Sequence, residues 1–206
     1  MIKSLKQTFL SQDLESPKWS PVETVVPGCD LRMYEASTWV STVIKGGSQK
    51  EAMRQGFQKL FRYIQGKNEK EAKIEMTAPV TCLVQPGNAE YKISFFLPFK
   101  HQNLPLEPID PDVFLEQRKG AAIFVRSFGG FASMEKFSKE AQALAETLQR
   151  EGQSFHPDFY YTASYNSPFT LFNRHNEVWY FKKEEGEGLW FQMAKDSLLK
   201  KIGQLL

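Results

Sequence analysis

Apolar and polar positions along this chain follow two periods, and the order in which the periods change occurs twice. Leu31 to Glu35 and Trp39 to Ile44 are short runs of β-branched and aromatic residues, the pattern of strands. Gly46-Gly47 ends the second run, and from Ser48 the period lengthens. Ala52, Met53, Gly56, Phe57, Leu60, Phe61 and Ile64 recur at helical spacing and predict one apolar stripe. Ser48-Gln-Lys-Glu51 is a capping box, in which hydroxyl and carboxylate satisfy free amides of the first turn. Gly66 supplies the stop. Ile74 to Leu83 and Tyr91 to Leu97 then return to strand spacing.

A connection from Pro98 to Pro111, holding four prolines, leads into the second passage. Asp112 to Arg118 and Ala121 to Phe128 repeat the strand pair around a Lys119-Gly120 turn. Gly129-Gly130 answers Gly46-Gly47, and Ser133 caps a helix with Met134, Phe137, Ala141, Leu144, Ala145 and Leu148 on its stripe. Phe159 to Tyr165 and Val178 to Phe181 complete it. Lys73-Ile-Glu-Met-Thr-Ala-Pro79-Val80 thus has a counterpart about ninety residues later in Tyr161-Thr-Ala-Ser-Tyr-Asn-Ser-Pro168-Phe169. A period of that length is too long for a solenoid and suits a duplicated half-domain. Both prolines fall where a strand must end, since proline cannot donate to a ladder.

The fold class is therefore α+β: a barrel-like antiparallel sheet of about eight strands with two α-helices on its outside. Pseudo-symmetric halves at about 31–98 and 112–182 form a single domain over 1–182, since one half alone would bury too little apolar surface. Residues 1–30 read as an irregular arm. Within it Ile2, Leu5, Phe9 and Leu10 share a helical face, but Asp13 and Glu15 come early and arginine is absent from the first ten residues. A short docking helix suits this better than a mitochondrial presequence. Residues 183–206 form an amphipathic tail, with Trp190, Phe191, Ala194, Leu198, Ile202 and Leu205 along one side.

Composition narrows the function classes. Over 206 residues the formal charge is only +2 and basic residues are mixed with acidic ones, which argues against affinity built on phosphate neutralisation, so no nucleic-acid partner is expected. No apolar run approaches the length of a bilayer span, so no transmembrane segment is expected. Cys29 and Cys82 cannot make a disulfide framework, and a reducing compartment, the cytoplasm, is the natural reading. The unusual figure is 14% aromatic content, with 17 Phe. Such a surplus fills cores, and it also lines pockets for flat apolar ligands.

Five segments then carry a resemblance. Lys73-Ile-Glu-Met-Thr-Ala-Pro-Val80, Ile93-Ser-Phe-Phe-Leu-Pro98, Val125-Arg-Ser-Phe-Gly-Gly130, Tyr165-Asn-Ser-Pro168 and Asn173-Arg-His-Asn-Glu-Val-Trp179 resemble, in order and spacing, the SOUL/haem-binding protein family. The likeness runs from about Trp19 to Lys182 and is nearest to the SOUL branch around Phe57 to Thr81. The resemblance implies a distorted antiparallel β-barrel with two flanking helices and reversible binding of haem (b-type) or another tetrapyrrole. It implies an intracellular carrier or buffer and no catalysis. The porphyrin is expected in a shallow hydrophobic groove between the first helix and the loop joining the last two strands. On this chain the helix side is Arg54, Phe57, Leu60, Phe61 and Arg62, and the loop side is Phe169, Thr170, Leu171, Phe172 and Arg174.

The chemistry is coherent. Phe and Leu can cover a macrocycle, and arginines can pair with its two propionates. Arg54 and Arg62, eight residues apart, are positioned to share one edge of the helix. The competing role of Phe57 and Leu60 is core packing, and that of the arginines is solvation. Some family members carry a lysine in the last loop, where this chain has Thr170. Some of the SOUL branch carry a first-strand histidine proposed as an axial ligand, where this chain has Arg32-Met33-Tyr34. Met33 is the only metal candidate, through its thioether, and a strand methionine is more often core. His101, His156 and His175 lack partners at metal-ligand spacing and are expected to be solvent-exposed. No nucleophile elbow or acid–base pair appears, so no enzyme is expected.

A rival reading comes from another class: a cell-death or mitochondrial-permeability interaction protein, associated with mitochondria, with haem incidental. Leu144-Ala-Glu-Thr-Leu148-Gln-Arg-Glu-Gly152-Gln153 loosely resembles a BH3-type segment, although an acidic residue is expected where Gln153 stands. The protein partner would engage this second helix or the tail.

Overall fold

Two serines start the two helices. In the computed structural model, which describes residues 14–23, 26–166 and 173–184, the Ser48 hydroxyl accepts from the amide of Glu51 and the Ser133 hydroxyl from that of Lys136. Helix α1 spans Gln49–Ile64 and helix α2 spans Met134–Arg150. Around them run nine strands: β1 (Trp19–Val22), β2 (Asp30–Tyr34), β3 (Ser37–Lys45), β4 (Val80–Val84), β5 (Glu90–Phe96), β6 (Val113–Arg118), β7 (Ala121–Gly129), β8 (Tyr160–Ser164) and β9 (His175–Phe181). They form one curled antiparallel sheet, a half-barrel, in the order β1-β2-β7-β9-β8-β4-β5-β3-β6.

That order is nearly palindromic. Outward from the central β8–β4 pair, β9, β7 and β2 on one side match β5, β3 and β6 on the other. The first strand of each repeat therefore pairs not with its own half but with the second strand of the other. Leu31 of β2 sits opposite Phe124 of β7, and Val40 of β3 opposite Leu115 of β6.

Three elements differ from the sequence expectation. The stretch read as an irregular arm contains β1, which explains a ninth strand. It is an edge strand pairing only with β2, so Pro21 can sit in it without removing a ladder bond. Strand β4 begins at Val80 rather than near Ile74, because the preceding amides are satisfied elsewhere: Ile74 donates to the Ile64 carbonyl and Ala78 to that of Glu15. Strand β9 begins at His175, three residues before the β-branched run that signalled it. The amphipathic tail lies outside the described residues from 185 onward, as does the amphipathic N-terminal decapeptide.

Strand alternation gives the sheet two apolar faces. On one, α1 packs over β3 and β5 and α2 over β7 and β9, burying Val40, Leu60, Ile93, Phe137, Leu144 and Val178. On the other, concave face, Tyr34, Ile123, Val125, Tyr161, Ala163 and Trp179 form a second cluster, with no helix over it among the described residues.

Helix α1 approaches β5 closely at Gly56, where a Cβ would lie 2.8 Å from the Ile93 side chain. Helix propensity favours alanine there by about 1 kcal/mol, whereas overpacking a tight core costs about 1–3 kcal/mol. Ile93 is wholly buried and branched, so overpacking wins. Gly56→Ala is expected to lower the urea midpoint at an unchanged slope, and a raised midpoint would show that Ile93 yields.

Candidate functional site

Helix α1 turns Ala52, Gly56, Leu60, Tyr63 and Ile64 into the core and leaves Phe57 and Phe61 on its flank. Their rings stack with centroids 5.7 Å apart and planes 14° apart, and Phe57 meets Phe95 edge-on at 5.2 Å. Phe61 remains 42% exposed, so the stack ends in open apolar surface. Arg54 and Arg62 are exposed, and among the described residues neither makes an ion pair or side-chain hydrogen bond. Eight residues exceed two turns, so Arg62 lies about 80° further round than Arg54. The two arginines therefore do not share one edge; Arg54 stands about one turn before Phe57 and Arg62 directly after Phe61, so they bracket the stack along the helix axis. Leu60 is completely buried and can support this surface only from beneath.

Strand register places the β8–β9 connection toward the same end of the sheet. Phe95, under Phe57, pairs with Val80, and Val80 pairs across with Ser164 at the end of β8. Two strand spacings, about 10 Å, thus separate the floor beneath Phe57 from the point where the connection leaves. Of the loop-side residues, Phe169, Thr170, Leu171 and Phe172 lie outside the described residues. The Arg174 guanidinium lies 4.5 Å from the centroid of Phe131, an exposed ring just before α2.

Sequence reasoning missed a buried polar cluster directly below this connection. Glu177 is 1% exposed, on the concave side of β9. Its Oε1 accepts from Arg32 Nη1 at 2.9 Å and Ser127 Oγ at 3.4 Å, and contacts His175 Nε2 at 2.8 Å. Its Oε2 accepts from the Tyr165 hydroxyl at 2.7 Å and Trp179 Nε1 at 2.8 Å. Arg32 in turn stacks on Trp19 at 4.4 Å and reaches Asp30 at 3.2 Å. Burial alone would raise the Glu177 carboxyl, but His175, the Arg32 charge and the Tyr165 hydroxyl hold it at about 2. Burial, with the carboxylate next in weight, pushes the Tyr165 and Tyr34 hydroxyls up. The available signal was a charge beside the apolar residues of each of two strands, Arg32 between Leu31 and Met33 in β2 and Glu177 before Val178 in β9.

Other expectations need correction. His175 is not solvent-exposed: its ring is mostly buried, bonded to Glu177 and edge-on to Tyr165 at 4.8 Å. His156 stacks on Phe159 at 5.8 Å. Met33 is not in the core, being 44% exposed. Nor does β2 neighbour the strands under α1, since β7, β9, β8 and β4 intervene before β5. In α2 the apolar stripe is spent on the core, with Phe137, Ala141, Leu144 and Leu148 all buried, so the BH3-like segment offers no free apolar face. Burial raises both thiols, Cys29 to about 11 and Cys82 to about 12, which leaves them protonated and poor nucleophiles at neutral pH. Among the described residues no helix is long and apolar enough to cross a membrane.

The cluster yields a pH prediction. A carboxylate held at about 2 contributes stability above its unfolded pKa, about 4.3, and loses it as pH falls through the folded value. Glu177→Gln leaves the buried Arg32 with only the half-exposed Asp30 as counter-charge and is expected to lower stability by about 3 kcal/mol near neutral pH. The gap from the parent protein should close between about pH 5 and pH 2 in unfolding titrations, and a gap constant with pH would contradict this account.

Comparison with known proteins matches this fold and its motifs. The family model described as SOUL heme-binding protein matches residues 14–181. Heme-binding protein 2 of Homo sapiens is 43% identical over 183 residues, covering 85% of this chain and 89% of that protein. Heme-binding protein 1 of Xenopus laevis is 30% identical over 156 residues, covering 73% and 82%. Among solved structures, one titled a hydrolase from Listeria innocua superposes with a TM-score of 0.52 at 10% identity, over 87% of this chain and 96% of that one, a likeness of fold alone. With two interleaved halves matched from end to end and this identity to its relatives, the chain belongs to the SOUL heme-binding protein family.

Proposed function

We propose that this protein binds haem or a related tetrapyrrole reversibly in the groove beside α1, as a cytoplasmic carrier or buffer rather than an enzyme. One observation carries the reading: a stacked pair, the half-buried Phe57 and the exposed Phe61, bracketed by two arginines that make no ion pair or side-chain hydrogen bond among the described residues. Apolar rings left open to water at a helix flank favour covering by a flat apolar face. A porphyrin supplies that face together with carboxylates, which arginines bind through paired, charge-assisted hydrogen bonds. The names of the relatives point to the same ligand.

In this reading Arg54 and Arg62 hold propionates from the two ends of the stack along the helix axis, and Leu60 fixes the floor from below. Arg174 and the segment Phe169, Thr170, Leu171 and Phe172 form the opposite wall. A surface groove of this kind leaves one edge of the ligand in water, which suits exchange better than permanent retention. The described α1 surface contributes Phe and Arg but no imidazole, and its one thioether, Met53, is half-buried against the core, so affinity rests on stacking and ion pairing.

Hemin titration is expected to give a saturable Soret shift at micromolar concentration. The double variant Arg54→Glu/Phe61→Asp alters only exposed positions, so it should keep the parent far-ultraviolet circular dichroism. It is expected to bind hemin at least about tenfold more weakly, roughly 1.4 kcal/mol. Absence of a saturable shift in the parent protein, or an unchanged affinity in the folded variant, would overturn the reading.

A further inference from the structure

The concave face of the sheet holds a cavity of about 310 Å³ on the opposite side of the sheet from α1. Its walls are the aromatic side chains of Tyr34, Trp39, Tyr161, Trp179 and Phe181, contributed by strands from both halves. At one side Arg118 is pressed between two rings, its guanidinium 4.0 Å from the centroid of Trp39 and 5.1 Å from that of Tyr161. Nη2 donates to Ser94 Oγ at 2.7 Å and to Glu116 Oε2 at 3.2 Å, whereas the buried Nε has no acceptor.

The charges in this cluster do not cancel. Glu116 is the single carboxylate, and it also accepts from Lys92 Nζ and from Ser41 Oγ at 2.7 Å. Two mostly buried cations, Lys92 and Arg118, thus share one anion. At the rim Lys119 and Lys182 are matched by Glu35 and Glu184. The charges that line the cavity balance, three of each sign, and Lys92 lies behind Glu116 without lining it. Among the described residues the cluster at this wall therefore carries one positive charge in excess, next to an aromatic cavity where reduced solvation makes an opposite charge favourable. The volume is near the small end for ligand pockets; it suits a ligand of two or three fused rings and does not enclose a tetrapyrrole.

We propose that this cavity is a second ligand site, selective for small planar aromatic anions such as aromatic carboxylates, and separate from the α1 groove. The ring of the ligand lies among Trp39, Tyr161 and Trp179, and its carboxylate neutralises the Arg118–Lys92 excess.

The test uses the full chain and 2-naphthoate as probe, with binding followed by calorimetry. Saturable binding is expected, with 2-naphthylmethylammonium, of like size and opposite charge, at least about tenfold weaker. Arg118→Gln should abolish the preference for the anion. Because that variant also disturbs a buried network, Ala121→Phe provides a second arm: Ala121 lines the cavity, and a phenyl group there fills it without touching Arg118. Binding should be lost in Ala121→Phe and retained in Arg54→Glu/Phe61→Asp, whatever that variant does to hemin. No saturable binding, equal affinity for the cation, or binding that survives Ala121→Phe would each overturn the proposal.

Discussion

One buried carboxylate sets the geometry of half the sheet. Glu177 gathers donors from β2, β7, β9 and the residue following β8. A charge taken from water is tolerable only when such partners replace its hydration. The requirement fixes register as well as charge. A slip of β9 by one residue would turn Glu177 into the apolar core beneath α2 and Val178 out to Arg32. It also fixes where the β8–β9 connection must leave, because Tyr165 and His175, on either side of it, are both held by that carboxylate. The proposed tetrapyrrole groove inherits its far wall from this arrangement.

The sheet keeps two chemistries apart. Its helix-covered face is closed by Leu and Phe packing, and ligand chemistry appears there only at the α1 flank. On its concave face the described residues provide no covering helix, and polar clusters stand where a helical layer would lie. One cluster, around Glu177, holds its carboxylate with five side chains. The other, around Glu116, joins two cations to one anion and leaves a cavity beside them. Arginine stacked on aromatic rings recurs in both, as Arg32 on Trp19 and Arg118 on Trp39. The planar guanidinium can be desolvated on its faces while its edge stays hydrogen-bonded.

Much of the fold was legible because it rests on local signals. Both serine caps, both helical stripes and most strands followed from spacing and from glycine pairs. The site was less legible, for a physical reason. Periodicity shows which residues share a face but not which strand lies opposite, so the pairing of Arg32 with Glu177, 145 residues apart, left no pattern to read. Leu60 and Phe61 are adjacent on one apolar stripe, yet one is wholly buried and the other half in water, because the stripe is wider than its contact with β5. His175 looked like a loop imidazole until β9 proved to start there. Met33 looked like core because a methionine in a strand usually is, but it faces outward and is 44% exposed.

The exchange of first strands between the halves bears on how the chain is made. Residue 31 must wait for residue 124 before its hydrogen bonds can form, and the partner of residue 40 on β6 arrives only at residue 115. Neither repeat can complete its own sheet, so the nascent first half emerges with an open strand edge. Contacts so distant in sequence slow folding and lengthen the time that edge is exposed. A duplication that began as two equal pieces has thereby become a single cooperative unit, in which stability in one half depends on synthesis of the other.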